Sequence, residues 1–280
     1  MPLTVATWNV NGIRAREEQF LEWLERDRPD VVCLQEIKAS PDKLSERLCE
    51  LAGYACYWHG ESGYSGVGLH FRRDTFPDPP AFDHPAFDHE TRVVTATAGD
   101  LTVASVYVPN GGKDFQAKLD FLAALRGWAA GLAADGRKAL LCGDLNVART
   151  DMDIHPKEKR KPDLIGIRPE ERELLEGVLA TGFTDLARAL HPDDDRLFTW
   201  WAPWRNLRQR NIGWRIDYVL ATAPLAERVE SCEVLREVGT SDHAPVVARF
   251  SSFLAASSMS ERPADRPRAT SRPPGGGGGA

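Results

Sequence analysis

Short apolar runs alternate with amphipathic stretches along most of the chain, and these two patterns predict strands and helices. Clusters of apolar and β-branched residues predict strands at residues 3–8, 31–34, 66–71, 92–97, 101–106, 140–142, 216–220, 229–234 and 246–250. Apolar positions at helical spacing predict helices at residues 16–26, 40–51 and 114–134, and a further helix from Arg168-Pro169 onward. A segment rich in proline, aspartate and histidine, residues 77–88, predicts a loop.

The predicted strands outnumber the predicted helices, and this balance indicates the fold class. It favours an α/β (α+β) chain in which two mixed β-sheets pack face to face with helices on the outside, a four-layer α/β-sandwich. We expect one folded domain over residues 1–253. From residue 254 to residue 280, serine, proline, arginine and a run of five glycines replace the apolar pattern, which predicts a disordered tail.

Composition narrows the class of protein further. The 280 residues contain no apolar stretch of about 18 residues, so we expect no membrane span. The N-terminal residues lack the basic and apolar regions of a signal peptide, which predicts a cytoplasmic protein. Five scattered cysteines without a C-x-x-C pair predict buried free thiols in a reducing compartment.

The formal charge of −6 alone argues against a nucleic-acid partner. A metal-dependent nuclease, however, concentrates carboxylates at its site and can still carry basic residues on one face. Residues 157–161 and 205–215 are two such basic clusters, and each is interpreted either as a DNA-facing surface or as a solvated loop.

Polar side chains with metal-binding or acid–base chemistry stand next to the predicted buried strands. They are Asn9 and Asn11, Gln35 and Glu36, Tyr107 and Asn110, Asp144 and Asn146, and the pair Asp242-His243. Because the ends of adjacent strands converge at one edge of a sheet, we expect these side chains to form a site there. Their carboxylate and amide oxygens suit Mg²⁺ or Mn²⁺, and an aspartate with a histidine near a metal suits phosphodiester hydrolysis.

Seven motifs in this set resemble one known family. They are residues 7–14 (TWNVNGIR), 34–38 (LQEIK), 63–68 (GYSGVG), 107–110 (YVPN), 142–147 (CGDLNV), 213–218 (GWRIDY) and 240–243 (TSDH). In this order they are similar to the exonuclease III family of abasic-site endonucleases, within the endonuclease–exonuclease–phosphatase superfamily. The resemblance implies a DNase I-like fold, a Mg²⁺ cofactor with Mn²⁺ as substitute, and a monomer associated with the bacterial nucleoid. The implied partner is double-stranded DNA with abasic sites or 3′ ends.

The resemblance also implies the metal ligands. Glu36 would be the principal ligand, with Asn9 and Asp242 near or on the same ion. Some family members hold a second metal, which would lie near Asp144, Asn146 and His243. A one-metal site and a two-metal site are both compatible with the sequence.

The hydrolytic roles follow from the same motifs. Asp144 would deprotonate the attacking water, and Asn146 would orient that water or contact the phosphate. His243 would bind the scissile phosphate, held by Asp217 as a triad carboxylate holds its histidine. The opposite wall would consist of Tyr107, against the phosphate and the leaving oxygen, and Asn110.

Aromatic and basic side chains supply the implied substrate contacts. Trp200 and Trp214 would line a pocket for an abasic sugar flipped out of the helix, whose extrusion costs little unstacking energy. Arg14 resembles a family arginine near the DNA. Trp201 and Trp204 are interpreted either as core residues or as DNA contacts.

The chain departs from the family pattern at several positions. Asn11 stands where some members carry an aspartate, and residues 151–167 are only loosely family-like. Lys38 is either a solvated lysine or a structural partner of Glu36, and His59 has no family counterpart and is interpreted as a loop histidine.

Taken together, these motifs predict a metal-dependent DNA phosphodiesterase of base excision repair. It would cleave 5′ to abasic sites, remove nucleotides and blocks from 3′ ends, or do both. One alternative is another superfamily hydrolase, either a DNase I-like nuclease or a phosphatase. Tyr107 disfavours the nuclease alternative, because DNase I-like members place a second catalytic histidine near that position. The other alternative is a DNA-binding relative without catalysis.

Overall fold

The fold comes from a computed structural model that describes residues 2–51, 53–159, 161 and 163–251. The predicted domain border at residue 253 and the predicted tail, residues 254–280, lie outside the described residues.

The described part of the chain alternates strands with helices. Its strands are β1 (Leu3–Asn9), β2 (Val31–Gln35), β3 (Tyr54–His59), β4 (Val67–Arg72), β5 (Ala81–Asp83), β6 (Val93–Ala98), β7 (Leu101–Tyr107), β8 (Lys138–Asp144), β9 (Phe183–Asp185), β10 (Asp217–Thr222), β11 (Val229–Val234) and β12 (Val246–Phe250). Its α-helices are α1 (Glu17–Asp27), α2 (Glu46–Cys49), α3 (Phe115–Ala133), α4 (Pro169–Leu179), α5 (Leu186–Leu190) and α6 (Ala223–Ala226). No helix in this part is both long and apolar enough to cross a membrane.

The strands form two mixed sheets of six strands each, ordered β11-β12-β1-β2-β4-β3 and β5-β6-β7-β8-β10-β9. Parallel pairing joins β1 to β2 and β7 to β8, and the other pairs are antiparallel. The central strands β1 and β2 of the first sheet face β7, β8 and β10 of the second. The predicted pair of face-to-face sheets is therefore confirmed.

Alternating side chains of the central strands fill three apolar layers. In β1, Val5 points into the layer between the sheets, whereas Trp8 joins Phe20 and Trp23 of α1 on the outer face. In β8, Leu140 faces the first sheet and Leu141 lies in the cluster that includes α3 and α4. Because both faces of these strands are buried, their sequences are apolar throughout, and the four-layer sandwich follows.

Two predictions of local structure were wrong. The single helix expected at residues 40–51 is a 3₁₀ turn at Pro41–Lys43 followed by α2, because Leu44 is extended and the Ser45 side chain caps a new helix start. The loop expected at residues 77–88 contains β5, which pairs with β6 at the edge of the second sheet.

The five cysteines are free thiols, as predicted, but they are not all buried. Cys33, Cys142 and Cys232 lie in the layer between the sheets, while Cys56 is half-buried and Cys49 is exposed on α2. The apolar sequence context predicted burial for the strand cysteines and carried no such signal for the helical one.

Candidate active site

The predicted site residues meet where β1, β2, β7 and β8 end and β10 and β12 begin. A cleft of about 420 Å³ opens at this edge. Its lining residues are Glu36, Tyr107, Asn110, Gly112, Asp144, Asn146, Leu164, Ile165, Gly166, Trp200, Trp214, Ile216, Asp242 and His243. Asn9 and Asp217 are buried and contact lining residues. Of the predicted site residues, Arg14 alone neither lines the cleft nor contacts a residue that does, as far as the described contacts show.

The backbone turns sharply at the ends of three of these strands. Asn11, Glu36 and Asn146 have positive φ angles of 44°, 52° and 52°. Asparagine adopts this left-handed conformation readily, but for glutamate it carries strain of order 1 kcal/mol or more. The Glu36 carbonyl accepts a hydrogen bond from the Gly12 amide at 2.7 Å, which ties the turn after β2 to the turn after β1.

Glu36, Asp144 and His243 form the centre of the cleft. One ligand atom from each lies within 4.8 Å of the others. The side-chain amide of Asn9 donates to Glu36 Oε1 at 3.0 Å and to Asp144 Oδ2 at 2.9 Å, while its oxygen accepts the Asn11 backbone amide. Asn9 therefore holds the two carboxylates at a fixed separation, and its own coordination of a metal stays a prediction.

Asp242 lies beside this centre and is engaged by two other side chains. Its Oδ1 accepts from the Asn11 amide at 2.8 Å, and its Oδ2 accepts from the Trp200 indole at 3.0 Å. Each carboxylate oxygen keeps a second lone pair. The predicted contact of Asp242 with a metal thus stays a prediction, and Asn11 orients Asp242.

Two side chains hold the Glu36 carboxylate besides Asn9. The Tyr107 hydroxyl donates to Oε1 at 2.8 Å, and Lys38 Nζ lies 2.7 Å from Oε2. Burial raises the pKa of Glu36, but the charge of His243 and the hydrogen bonds from Lys38 and Asn9 outweigh it and lower that pKa. Lys38 is accordingly a structural partner of Glu36, the second of its two interpretations.

His243 is held as an imidazolium. Its Nδ1 lies 2.9 Å from Asp217 Oδ2, and its Nε2 lies 3.8 Å from Asp144 Oδ2. Burial lowers the pKa of His243, but the charges of Asp217 and Asp144 outweigh burial and raise that pKa to about 10. The predicted pairing of His243 with Asp217 is present in the structure, and it directs the other ring nitrogen into the cleft.

Asp144 has the opposite electrostatic environment. Burial and the charges of Asp217 and Glu36 raise the pKa of Asp144 and the charge of His243 lowers it, with a net rise to about 8. A carboxylate whose pKa lies near neutrality is matched to proton transfer at physiological pH. Asp144 therefore suits the predicted role of base.

The residues at this centre fit a divalent metal ion. Glu36 and Asp144 offer hard carboxylate oxygens, and the buried Asp217 adds a third carboxylate. Burial, and after it the negative charges of Asp217 and Glu36, raise the pKa of Asp144, and a bound cation offsets both effects.

A buried lysine that the sequence analysis missed supports two loops of the cleft. Lys118 of α3 donates to the Asn146 carbonyl at 2.7 Å, contacts the Asn110 carbonyl at 3.5 Å, and pairs with the buried carboxylate of Glu171. The Asn146 side chain donates to Val108 O at 2.9 Å, and its backbone amide donates to Asp144 Oδ1. The only sequence signal was a lysine among the apolar positions of a helix.

Trp200 and Trp214 form an aromatic wall of the cleft, with ring centroids 6.1 Å apart in an edge arrangement. The Trp214 indole nitrogen is buried and has no hydrogen-bond partner among the described residues. Trp201 is buried in a separate apolar cluster and is therefore a core residue, the first of its two interpretations. Trp204 is 56% exposed and is therefore not a core residue. An apolar recess therefore lies beside the carboxylates.

Arg92 is buried and packs against the ring of Tyr107. Its guanidinium lies 4.8 Å from the centre of the Tyr107 ring and donates to the hydroxyl of Tyr64 at 3.0 Å. Tyr64 is 55% exposed although it lies in a predicted family motif, and its role was missed by the sequence analysis. Arg14 is exposed on a 3₁₀ turn before α1, so its predicted DNA contact stays a prediction.

The two basic clusters are not uniform charged surfaces. Arg215 is buried against Asp153 and Asp185, and Arg208 donates to three backbone carbonyls, those of Arg236, Val238 and Ser241. In the other cluster Lys159 pairs with Asp151. Arginines that hold loops together explain part of the basic count between residues 205 and 215.

Comparison with known proteins agrees with this geometry. Residues 6–243 match the profile of the Endonuclease/Exonuclease/phosphatase family. The chain is 34% identical to the DNA repair nuclease APEX1 of Danio rerio over 87% of this chain and 81% of that protein. An AP endonuclease structure from Archaeoglobus fulgidus superposes with a TM-score of 0.80 at 30% identity, covering 89% of this chain and 99% of the other.

A 3′ phosphatase from Neisseria bound to a product DNA hairpin superposes with a TM-score of 0.81 at 32% identity, with the same coverage of 89% and 99%. These likenesses confirm the DNase I-like fold and the family predicted from the motifs. The chain belongs to the endonuclease/exonuclease/phosphatase family and, within it, to the exonuclease III family of AP endonucleases, and it is a phosphodiester hydrolase.

Proposed function

We propose that this protein is a Mg²⁺-dependent DNA-repair nuclease that cleaves the duplex backbone 5′ to abasic sites and removes blocking groups from 3′ ends. The observation that carries the proposal is the cluster of Glu36, Asp144 and His243 at the floor of a cleft walled by Trp200 and Trp214. The first three residues supply hydrolytic chemistry, and the two tryptophans supply an apolar recess.

The side chains divide the reaction between them. Asp144 accepts a proton from the attacking water, because its raised pKa makes it a better proton acceptor than an exposed aspartate. The imidazolium of His243 binds a phosphate oxygen and is kept protonated by Asp217. Tyr107, whose pKa is raised well above its usual value by burial, stays a neutral hydrogen-bond donor at the edge of the site.

Glu36 is the side chain that would hold the metal, with Asp144 and Asp242 alongside. A divalent ion held there supplies positive charge to the phosphoryl oxygens as negative charge develops on them. We propose Mg²⁺ in preference to zinc, since Glu36, Asp144 and Asp242 provide hard oxygen ligands. Whether a second ion uses Asp144, Asn146 and His243 is left to metal titration.

The aromatic wall supports a preference for abasic sites. An abasic sugar leaves the helix at small cost in stacking, and a recess lined by Trp200, Trp214 and Ile216 excludes water from it. A sugar that still carries its base needs more space and more unstacking energy.

We further propose that the protein acts as a monomer in the cytoplasm, in contact with the nucleoid.

The test compares rates on four substrates at fixed Mg²⁺. These are a duplex with one abasic site, a duplex with a recessed 3′ end, a duplex with a 3′ phosphate, and a soluble inositol phosphate. We expect cleavage of the DNA substrates only with the divalent metal. Asp144→Asn should slow it by about 10³-fold and leave DNA binding unchanged. Hydrolysis of the inositol phosphate with intact DNA would replace this proposal with a phosphatase of the same superfamily.

A further inference from the structure

A second cluster of metal-ligand side chains lies away from the cleft. It consists of His59 at the end of β3, His84 after β5 and Asp88 in the loop before β6, and one ligand atom from each lies within 4.8 Å of the others. His59 Nε2 lies 2.6 Å from Asp88 Oδ2, and His84 Nδ1 lies 3.9 Å from the same oxygen. The two imidazole rings are only 4.0 Å apart between centroids. His59 is thus the last residue of β3 and one member of a three-residue cluster, so its interpretation as a loop histidine was wrong.

Surrounding groups fix the orientation of these side chains. Asp88 Oδ1 accepts the backbone amides of Arg92 and Val93 at 2.8 and 2.9 Å, so Oδ2 is directed at the histidines. His84 contacts the Val93 carbonyl through Nδ1 at 3.0 Å and the Tyr57 hydroxyl through Nε2 at 2.9 Å. If His84 binds a metal through one ring nitrogen, it loses the contact at that nitrogen and keeps the contact at the other. Metal-binding histidines in proteins are commonly oriented by such a hydrogen bond at the second nitrogen.

The chemistry of this cluster differs from that of the cleft. Two imidazole nitrogens and one carboxylate oxygen suit zinc and its neighbours in the transition series, not Mg²⁺. Ligand atoms on a tetrahedral zinc lie roughly 3.3 Å apart, so side-chain shifts of about 1 Å convert the present contacts into a ligand set. The side chains of His59 and His84 are 21% and 29% exposed, which leaves a path for the ion and for a water as fourth ligand.

An ion pair explains the short contact of His59 with Asp88, and the contacts with Val93 and Tyr57 hold His84. Neither explains why both imidazoles converge on the same oxygen of Asp88. A single divalent ion uses all three side chains at once. It also fixes Asp88, which holds the backbone of Arg92 behind Tyr107.

We propose that His59, His84 and Asp88 form a binding site for a zinc-class divalent metal, separate from the catalytic centre. An ion there ties the end of β3 to the segment between β5 and β6. This segment leads directly to Arg92, which packs against Tyr107. The bound ion would therefore stabilise the side of the cleft that Tyr107 lines.

The test measures zinc binding to the full chain in a background that weakens the catalytic centre. Protein carrying Glu36→Gln is stripped with EDTA, dialysed and titrated with Zn²⁺, with bound metal counted by mass spectrometry and unfolding followed by circular dichroism. We expect one bound zinc per chain and a rise in melting temperature of roughly 5 °C at a hundredfold excess over the dissociation constant.

Matched variants locate the ion. His59→Gln and, separately, His84→Gln in the same background should each lose the bound zinc and the rise in melting temperature. His89→Gln should keep both, because His89 is an exposed histidine one residue from Asp88 and outside the cluster. A second measurement uses Co²⁺ in place of zinc, on protein in which His59, His84 and Asp88 are unchanged. We expect the intense visible absorption band that is typical of four-coordinate cobalt.

Zinc binding that is absent in Glu36→Gln, or that survives both His59→Gln and His84→Gln, would overturn the proposal. If one of these variants does not fold, the other and the cobalt spectrum decide. A cobalt spectrum without the intense band would count against the site even where metal is bound.

Discussion

The ammonium group of Lys38 lies 2.7 Å from Oε2 of Glu36, the carboxylate assigned to the metal, and it also donates to Asn11 Oδ1 at 2.7 Å. A fixed positive charge at this distance competes electrostatically with a cation. We predict that Lys38→Met lowers the Mg²⁺ concentration for half-maximal cleavage about two- to fivefold, equivalent to roughly 0.4–1 kcal/mol for a partly exposed ion pair. Lys38→Arg keeps the charge and serves as control. A higher Mg²⁺ requirement in Lys38→Met would show instead that the lysine positions Glu36 for binding.

The buried pair of Lys118 and Glu171 lies under the loops that carry Asn110 and Asn146. Lys118→Met leaves the Glu171 charge unpaired, and we predict a loss of about 3–5 kcal/mol in the free energy of unfolding. The double variant Lys118→Met/Glu171→Gln removes both charges but keeps an Oε1 acceptor for the backbone amides of Gly166 and Arg168. It should therefore regain most of this stability in urea denaturation.

The same double variant separates support of the fold from support of the site. Its cleavage rate should stay about tenfold below wild type, because the Asn146 carbonyl still lacks its charged donor. A double variant with wild-type rate would limit the role of Lys118 to stability.

Gly166 packs directly against the indole of Trp214. Its φ is +99°, and a Cβ added there would lie 2.7 Å from Trp214 Cζ3. We predict that Gly166→Ala displaces this indole and slows abasic-site cleavage about tenfold or more, with a smaller effect on removal of 3′ nucleotides. The control is Gly112→Ala on the same cleft, whose Cβ would meet Asn110 Oδ1 at an ordinary 3.5 Å. Equal losses on both substrates would argue against a sugar pocket at Trp214.

His70 sets a pH dependence of stability that is separate from catalysis. Neither of its ring nitrogens has a hydrogen-bond partner in the described part of the chain, and burial lowers its pKa to about 3. Between about pH 6.5 and pH 3, His70 is therefore protonated in the unfolded chain and neutral in the folded chain. The free energy of unfolding consequently falls as the pH falls below about 6.5.

His70→Phe should flatten this profile, because the phenyl ring can occupy the same space beside Phe20 and Trp58 without titrating. Urea denaturation measures how far the free energy of unfolding falls between pH 7.5 and pH 5. We expect this fall to be roughly 1–2 kcal/mol smaller in His70→Phe than in wild type. His89→Gln, at an exposed histidine, should follow wild type. An unchanged drop in His70→Phe would assign the acid sensitivity to other groups.

The central strands and the catalytic motifs were predictable from sequence for physical reasons. Strands buried on both faces leave long apolar runs, and polar residues such as Glu36 and Asp144 stand out at their ends. The edge strands β3, β5 and β9 were missed because they are short or half-exposed and carry a mixed pattern.

Contacts between distant segments could not be predicted in the same way. The cluster of His59, His84 and Asp88 depends on how two edge strands meet, and no local spacing indicates it. In the sequence, Lys118 is a single charge on an apolar helix. Its contacts with Glu171 and with the Asn146 carbonyl are found only in the structure. Both features are products of tertiary packing.

The central claim is that Glu36 holds the metal used by Asp144 and His243. Its most direct test is a Mg²⁺ titration of abasic-duplex cleavage by Glu36→Gln, with Glu18→Gln, at an exposed glutamate on α1, as control. We predict that Glu36→Gln raises the Mg²⁺ concentration for half-maximal cleavage at least about tenfold and leaves duplex binding unchanged. Cleavage by Glu36→Gln with the Mg²⁺ dependence of wild type would contradict the assignment.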